Sequence, residues 1–305
     1  MNHHRGSIMK HMATWIKATS DIMIRVLLGQ EENILVLKDF INSVLEDRGF
    51  PPVVNLIIKN PVNMRDVFNG KETFLDVKAK DETGRTFDIE IQSSGGHAFV
   101  NRSLYYWAKL YNSQIEEGHK FKKLNPVICI NILNFELFKD NEERNIHSCF
   151  MIQDLDNPDN ILSDHLQIHF LELPRMIIDR DHVPSMRLQK WMWYLKEEGN
   201  LEENDMNIIL KDDPVFEKAH NTFRKFTADE MLREKYEARM KWESDRASAI
   251  GDAWDDGIEQ GREQGRTEEK KILSREYADK LKKSGVAMDI IISVTGLSKE
   301  EIKSI

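Results

Sequence analysis

The chain has 305 residues, with 43 Lys and Arg against 52 Asp and Glu, and a formal net charge of −9. That balance excludes a protein that coats nucleic acid by bulk charge, while leaving room for a local basic groove around an acidic site. Two cysteines, Cys129 and Cys149, are too few for a disulfide framework or a cysteine metal site and suit a reducing cytoplasm; no apolar run approaches the ~20 residues of a membrane span.

Residues 1–12 read as a loose end, with His3, His4 and His11 open to adventitious metal at most. Ser20-Asp21 is a cap before IMIRVLLG, and ENILVLKDFINSVLED sets apolar residues at helical spacing before Gly49-Phe50-Pro51-Pro52 stops it. VVNLIIKN then reads as a strand, followed by a polar loop to Gly70.

The run TFLDVKAKDETGRTFDIEIQ, residues 73–92, is the centre of the chain. Both halves alternate apolar and polar, and Glu82-Thr83-Gly84 suits a type I turn closed by a left-handed glycine in a G1 bulge. That turn predicts a register of Asp81 with Arg85, Lys80 with Thr86, Lys78 with Asp88 and Asp76 with Glu90. One face carries Leu75, Val77, Ala79, Phe87, Ile89 and Ile91. The other sets Asp76 opposite Glu90, with Gln92 beyond, and like charges so opposed destabilise a sheet. Two explanations stand: a hard divalent cation shared by the acids, or an exposed face neutralised by Lys78, Lys80 and Asp88.

HAFVNRSLYYWAKLYNSQIEEG follows with a helical stripe of Phe99, Leu104, Trp107, Leu110 and Tyr111, and Arg102 and Tyr106 share a face. Lys120, Lys122 and Lys123 precede NPVICINILNF, a buried strand; they either touch a DNA backbone or sit solvated at the strand entry. NIHSCFMIQDL and HLQIHFLEL are further strands, in which His165 and His169 read as outward-facing rather than as a zinc pair. From Ser185 the pattern is helical, and Gly257, Gly261 and Gly265 form the one internal repeat, on a helix that either lets another helix approach or is weakly stable. Ser298 and Glu301 form a capping box near the end.

The ordered set FLDVKA, FDIEIQ, NRSLYYWAKLYNSQIEEGHKFKKLNPVICINILNF and LQIHFLELPR, with the glycine-periodic tail, resembles the Rpn family of recombination-promoting nucleases, also labelled transposases, in the PD-(D/E)XK superfamily. The resemblance implies an α/β fold: a restriction-endonuclease-like core with a mixed central sheet flanked by helices, and a helical C-terminal extension. The boundaries expected are a core over 15–180, a helical extension over 185–250 and a tail over 251–305. It implies a metal-dependent DNA endonuclease, linked to recombination or a mobile element, with Asp76, Glu90 and the carbonyl of Ile91 holding Mg2+ (or Mn2+ or Ca2+). Gln92 stands where the superfamily usually has a lysine. Glutamine can orient a water but supplies no positive charge, so Lys78 is an auxiliary candidate. Asp21 matches an acidic residue near the family's start, and either joins the metal or only caps its helix. Arg102 follows the strand as the family's arginine does, and takes a substrate phosphate or forms an ordinary ion pair; Lys120 and Lys122 are further phosphate candidates. The partners expected are DNA and a second copy through the tail, with no membrane. The competing reading is a catalytically weak or retired nuclease fold that binds DNA or a protein.

Overall fold

The computed structural model describes residues 16–61, 77–93, 98–116, 120–138, 145–182, 184–198, 201 and 203–305. Asp76 and Leu75, the loop to Gly70 and the N-terminal histidines lie outside them.

Among the described residues, six strands form one mixed sheet in the order β1-β2-β3-β4-β6-β5: β1 (Leu56–Ile58), β2 (Val77–Asp81), β3 (Thr86–Gln92), β4 (Val127–Leu133), β5 (His147–Gln153) and β6 (Ile161–Glu172). The central pairs β3–β4 and β4–β6 are parallel, and the three outer pairs are antiparallel. The hairpin register is the one its turn predicts, with Lys78 opposite Asp88 and Lys80 opposite Thr86. Asp81 organises that turn: its carboxylate accepts from the amides of Thr83 and Arg85 and meets the Arg85 side chain at 2.6 Å. Gly84 sits at φ +97°, a conformation that side-chain-bearing residues resist.

Both faces of the sheet are covered. On one, Val77, Ala79, Phe87, Ile89, Ile91, Ile130 and Leu171 pack with helices α1 (Asp21–Gly29) and α2 (Ile34–Glu46). Ser20 caps α1 by accepting from the Met23 amide, and Asp21 is the first helical residue, its carboxylate taking the Ile22 amide at 2.7 Å. On the other face α3 (Ala98–Asn112) lays Phe99, Trp107, Leu110 and Tyr111 over Val127, Cys129, Ile168 and Phe170. Its Trp107 indole donates to the carbonyls of Val127 and His165, which pins α3 across β4 and β6.

Helices α4 (Arg187–Glu197), α5 (Glu203–Leu210) and α6 (Pro214–Ala228) add Trp191, Trp193, Ile209, Phe216 and Phe223 to the first core. A polar knot fixes them: Arg187 bridges Asp39 of α2 and Asp213 at the start of α6, Lys190 meets Asp213 at 2.6 Å, and the Trp191 indole donates to Asp39 at 2.7 Å.

The chain divides after Tyr236 into two compact units, the second being Glu237–Ile305. Helix α7 (Glu230–Lys283) supplies Leu232 and Tyr236 to the first core. In the second unit its end packs with α8 (Met288–Thr295) and α9 (Lys299–Ser304) around Ala278, Ile291, Leu297 and Ile302. Gly296 at φ +69° ends α8, and the Ser298–Glu301 capping box opens α9 as expected.

Candidate functional site

Strand alternation sorts β3 into two sets of side chains. Phe87, Ile89 and Ile91 enter the core beneath α1 and α2, so only the backbone carbonyl of Ile91 is a candidate ligand. Asp88, Glu90 and Gln92 point to the face that carries α3. In the parallel register with β4, Asp88 lies beside Cys129, Glu90 beside Asn131 and Gln92 beside Leu133.

Asp88 is buried, whereas Glu90, Gln92 and Lys78 are half-buried. Gln92 donates from its amide nitrogen to Glu90 at 3.2 Å, and its amide oxygen accepts from Arg102 of α3 at 2.5 Å. The Arg102 guanidinium also lies over the Phe99 ring, 5.2 Å from its centre. A carboxylate, an amide and a guanidinium thus form one chain from strand to helix. Beneath it, buried Ser103 reaches Asn131 at 3.4 Å, and Asn131 donates to the His169 carbonyl.

The donor set is hard. Burial, then the charges of Asp88 and Glu90, push the Cys129 thiol well above its ordinary range, so it stays protonated beside these acids. What this face offers is carboxylate and carbonyl oxygen, the donors that magnesium and manganese take. Among the described residues no group of three or more His, Cys, Asp and Glu could hold a metal ion. Glu90 and Ile91 therefore fit the oxygen chemistry of such a site as part of a set whose other expected acid, Asp76, is outside the described residues.

The remaining predicted residues are dispersed. Lys78 is opposite Asp88, on the acid-bearing face. Lys120 and Lys122 are exposed around a short 3-10 turn that precedes β4. They lie toward the end of the sheet where Thr86 pairs with Val127, six residues or about 20 Å from the end where Gln92 pairs with Leu133. Asp21 opens α1, on the opposite side of the sheet from α3.

Sequence reasoning named Asp88 only in the hairpin register and in the neutralised-face reading, and passed over Ser103 and Asn131. The Asp-Ile-Glu alternation was the signal for Asp88: a residue two places before Glu90 shares its face. Asn131 carried a weaker signal, as the polar residue in the otherwise apolar VICINIL.

A correction concerns His169. It is fully buried rather than outward-facing, because β6 lies between β4 and β5 and Phe50 and His147 close over its ring. Its ring nitrogen is 2.9 Å from that of His147, whose other nitrogen is 2.7 Å from the carboxylate of Asp47; Cys149 Sγ lies 3.8 Å from His169. His165 is half-buried and meets the Tyr111 hydroxyl at 2.8 Å. The order thiol, imidazole, imidazole, carboxylate has the look of a nucleophilic relay. Burial, however, drives Cys149 up to about 11, so its thiol is not ionised at neutral pH.

A mixed sheet with helices on both faces and an acid and glutamine at the end of its second hairpin strand defines an α/β fold of the PD-(D/E)XK kind. The chain belongs to the PD-(D/E)XK nuclease family transposases, whose family model matches residues 18–253. No curated protein and no solved structure matches it. No helix among the described residues is long and apolar enough to cross a membrane.

Proposed function

We propose that this protein is a metal-dependent DNA endonuclease that hydrolyses phosphodiester bonds and acts in recombination or in a mobile element. The observation that carries the reading is the chain Glu90–Gln92–Arg102, which joins a potential metal ligand, a water-orienting amide and a phosphate-seeking fork on one face. Asp76, Glu90 and the Ile91 carbonyl would hold Mg2+ or Mn2+. Bound there, the ion would lower the pKa of a water and offset charge on the scissile phosphate. Glu90 fixes the Gln92 amide by accepting its N–H, leaving Gln92 and Arg102 to orient a nucleophilic water and a phosphate oxygen. The half-buried Lys78, opposite Asp88 on this face, is a second predicted positive charge beside Arg102 that could serve in place of the superfamily lysine. The two free cysteines suit work in a reducing cytoplasm.

The absence of a lysine at position 92 favours a second reading, a DNA-binding module that cleaves weakly or not at all. One experiment separates them. Purified protein should nick supercoiled plasmid with Mg2+ or Mn2+, and both Asp76→Ala and Glu90→Ala should abolish nicking while far-UV circular dichroism is retained. Nicking that survives both changes would remove this site from the reaction, and binding without nicking in the parent protein would select the second reading.

A further inference from the structure

Helix α3 runs along the acid-bearing face of the sheet from one end to the other. Near its start Arg102 meets Gln92 at the end of β3, and further on Trp107 is pinned to β4 and β6. Just past its end the Gln114 amide donates to the Asn125 carbonyl and accepts from the Asn125 N–H, both at 2.9 Å. That double bond ties the short turn Phe121–Lys123 to the end of α3. One surface therefore leads from the candidate site to a cluster of lysines about 20 Å away.

This surface is basic in an acidic protein. Residues 98–123 hold five bases (Arg102, Lys109, Lys120, Lys122 and Lys123) against two acids (Glu116 and Glu117), whereas the whole chain has 43 against 52. Arg102 and Lys109 are the only charges on α3 itself. Arg102, Tyr105, Lys109 and Asn112 follow one another by three, four and three residues, and all four are exposed, so they line one stripe of the helix. The lysines of the turn are exposed as well. Such a stripe suits a polyanion that reaches the acids of β3 from this side.

Two aromatic rings stand among these cations. Tyr105 is 62 % exposed between Arg102 and Lys109, and Phe121 is 78 % exposed between Lys120 and Lys122. Single exposed apolar side chains are ordinary. Rings set between cations along one surface are the arrangement that holds single-stranded nucleic acid: the charges follow the backbone, and the rings stack on base faces. A duplex keeps those faces inside its own stack.

We infer that the α3 stripe and the Phe121–Lys123 turn bind a DNA strand with unpaired bases, Tyr105 and Phe121 each stacking on a base while the cations meet phosphates. The 20 Å between the two ends is the length of about six stacked nucleotides. That the strand ends at a cleavage site rests on the nuclease reading; that this surface binds an unpaired strand does not.

The test uses the full chain in EDTA, which stops cleavage, and reads fluorescence anisotropy. The probes are a labelled thymidine oligomer of about 20 nucleotides and a blunt duplex of about 20 base pairs. The parent should bind the single strand at least about tenfold more tightly than the duplex. Tyr105→Ala and Phe121→Ala should each weaken the single strand at least about fivefold and the duplex less than about twofold. Phe121→Trp should keep the affinity and Phe121→Leu should not, which separates stacking from apolar contact. Lys122→Ala should weaken both probes and lower the salt slope for the single strand by about 0.7. A parent chain that binds neither probe, or binds the duplex as tightly as the single strand, overturns the inference, as does an affinity that ignores either ring substitution. A protein that nicks plasmid without preferring the single strand keeps the nuclease reading and loses this one; a protein that prefers the single strand but never nicks does the reverse.

Discussion

The Arg102 guanidinium, borne on α3, meets the side-chain oxygen of Gln92 on β3 at 2.5 Å, while the Gln92 nitrogen is given to Glu90. An amide held at both ends has one orientation, and Arg102 therefore acts on this face through Gln92 as well as through its own charge. Hydrogen bonds to charged groups contribute about 1.5–3 kcal/mol. If that amount is lost from the transition state, Arg102→Ala should slow plasmid nicking roughly 10- to 100-fold. Because Arg102 is exposed, the thermal midpoint should hardly move. Arg102→Lys should recover part of the rate, since it keeps the charge without the planar fork. Initial rates and melting curves for the three proteins check this, and an unchanged rate in Arg102→Ala would remove its positioning role.

The hairpin that delivers Glu90 depends on Gly84. Its φ of +97° is adverse for any side chain, and an added Cβ would lie 2.8 Å from the Asn125 side chain. Gly84→Ala should destabilise the protein by about 1–3 kcal/mol, the range for a strained backbone position. Adding Asn125→Ala should recover the steric part and leave the conformational part. Urea denaturation of the two single variants and the double variant gives the coupling. Strictly additive changes would show that the contact does not matter.

The same hairpin shows why part of this fold was legible in the sequence. Alternation names the faces, Asp81 and Gly84 name the turn, and together they leave one register, which Lys78–Asp88 and Lys80–Thr86 display. Strand β4, apolar at almost every position, was legible as a buried central strand for the same reason. His169 was not legible. Alternation says that it faces away from Ile168 and Phe170, but not that Phe50 and His147 close over its ring. Similarly, the apolar stripe of α4 announces a buried helix without saying which core receives Trp191; that depends on Arg187 meeting Asp39 and Asp213, residues 148 and 26 places away. At the candidate site, Glu90 and Gln92 were legible from their spacing, whereas the link from Gln92 to Arg102 depends on how α3 crosses the sheet.

Asp213 performs two tasks in that knot. It accepts from the Phe216 amide at the start of α6, and it neutralises Arg187 and Lys190. Burial raises its carboxyl, but hydrogen bonds from Arg187 and Lys190 outweigh this and hold it well below the usual carboxylate range. Removing one partner of a fully buried pair costs 3–5 kcal/mol; with Arg187 partly exposed, Asp213→Ala should cost about 2–3 kcal/mol. Asp213→Asn keeps the cap acceptor and should lose less. A depressed acid stabilises above its unfolded value near 3.9 and loses that contribution as pH falls through its folded value, so both variants should flatten the stability profile only in strong acid. Chemical denaturation from about pH 1.5 to pH 7 tests this. Equal losses for alanine and asparagine would assign the effect wholly to charge.

The histidine pair acts at milder pH. Burial lowers His147, with Asp47 opposing, and burial followed by His147 and Arg48 lowers His169 well below its ordinary value. A neutral chain satisfies each group: Cys149 donates to His169, His169 to His147, and His147 to Asp47. Adding a proton to either ring turns an acceptor into a donor inside that chain, beside the Arg48 guanidinium that donates to the His147 carbonyl. Because both folded values lie below the unfolded value near 6.5, the unfolded chain binds more protons in mild acid. Stability is full above about pH 6.5 and falls as pH drops from there toward the folded values. Between pH 7.5 and 5.5 the loss should be roughly 1–2 kcal/mol, read as a lower urea midpoint. Replacing His169 with glutamine removes one titrating ring, so that variant should be less stable at pH 7.5 and lose less on acidification. A His169→Gln profile parallel to that of the parent between these pH values would show that the pair is not the titrating element.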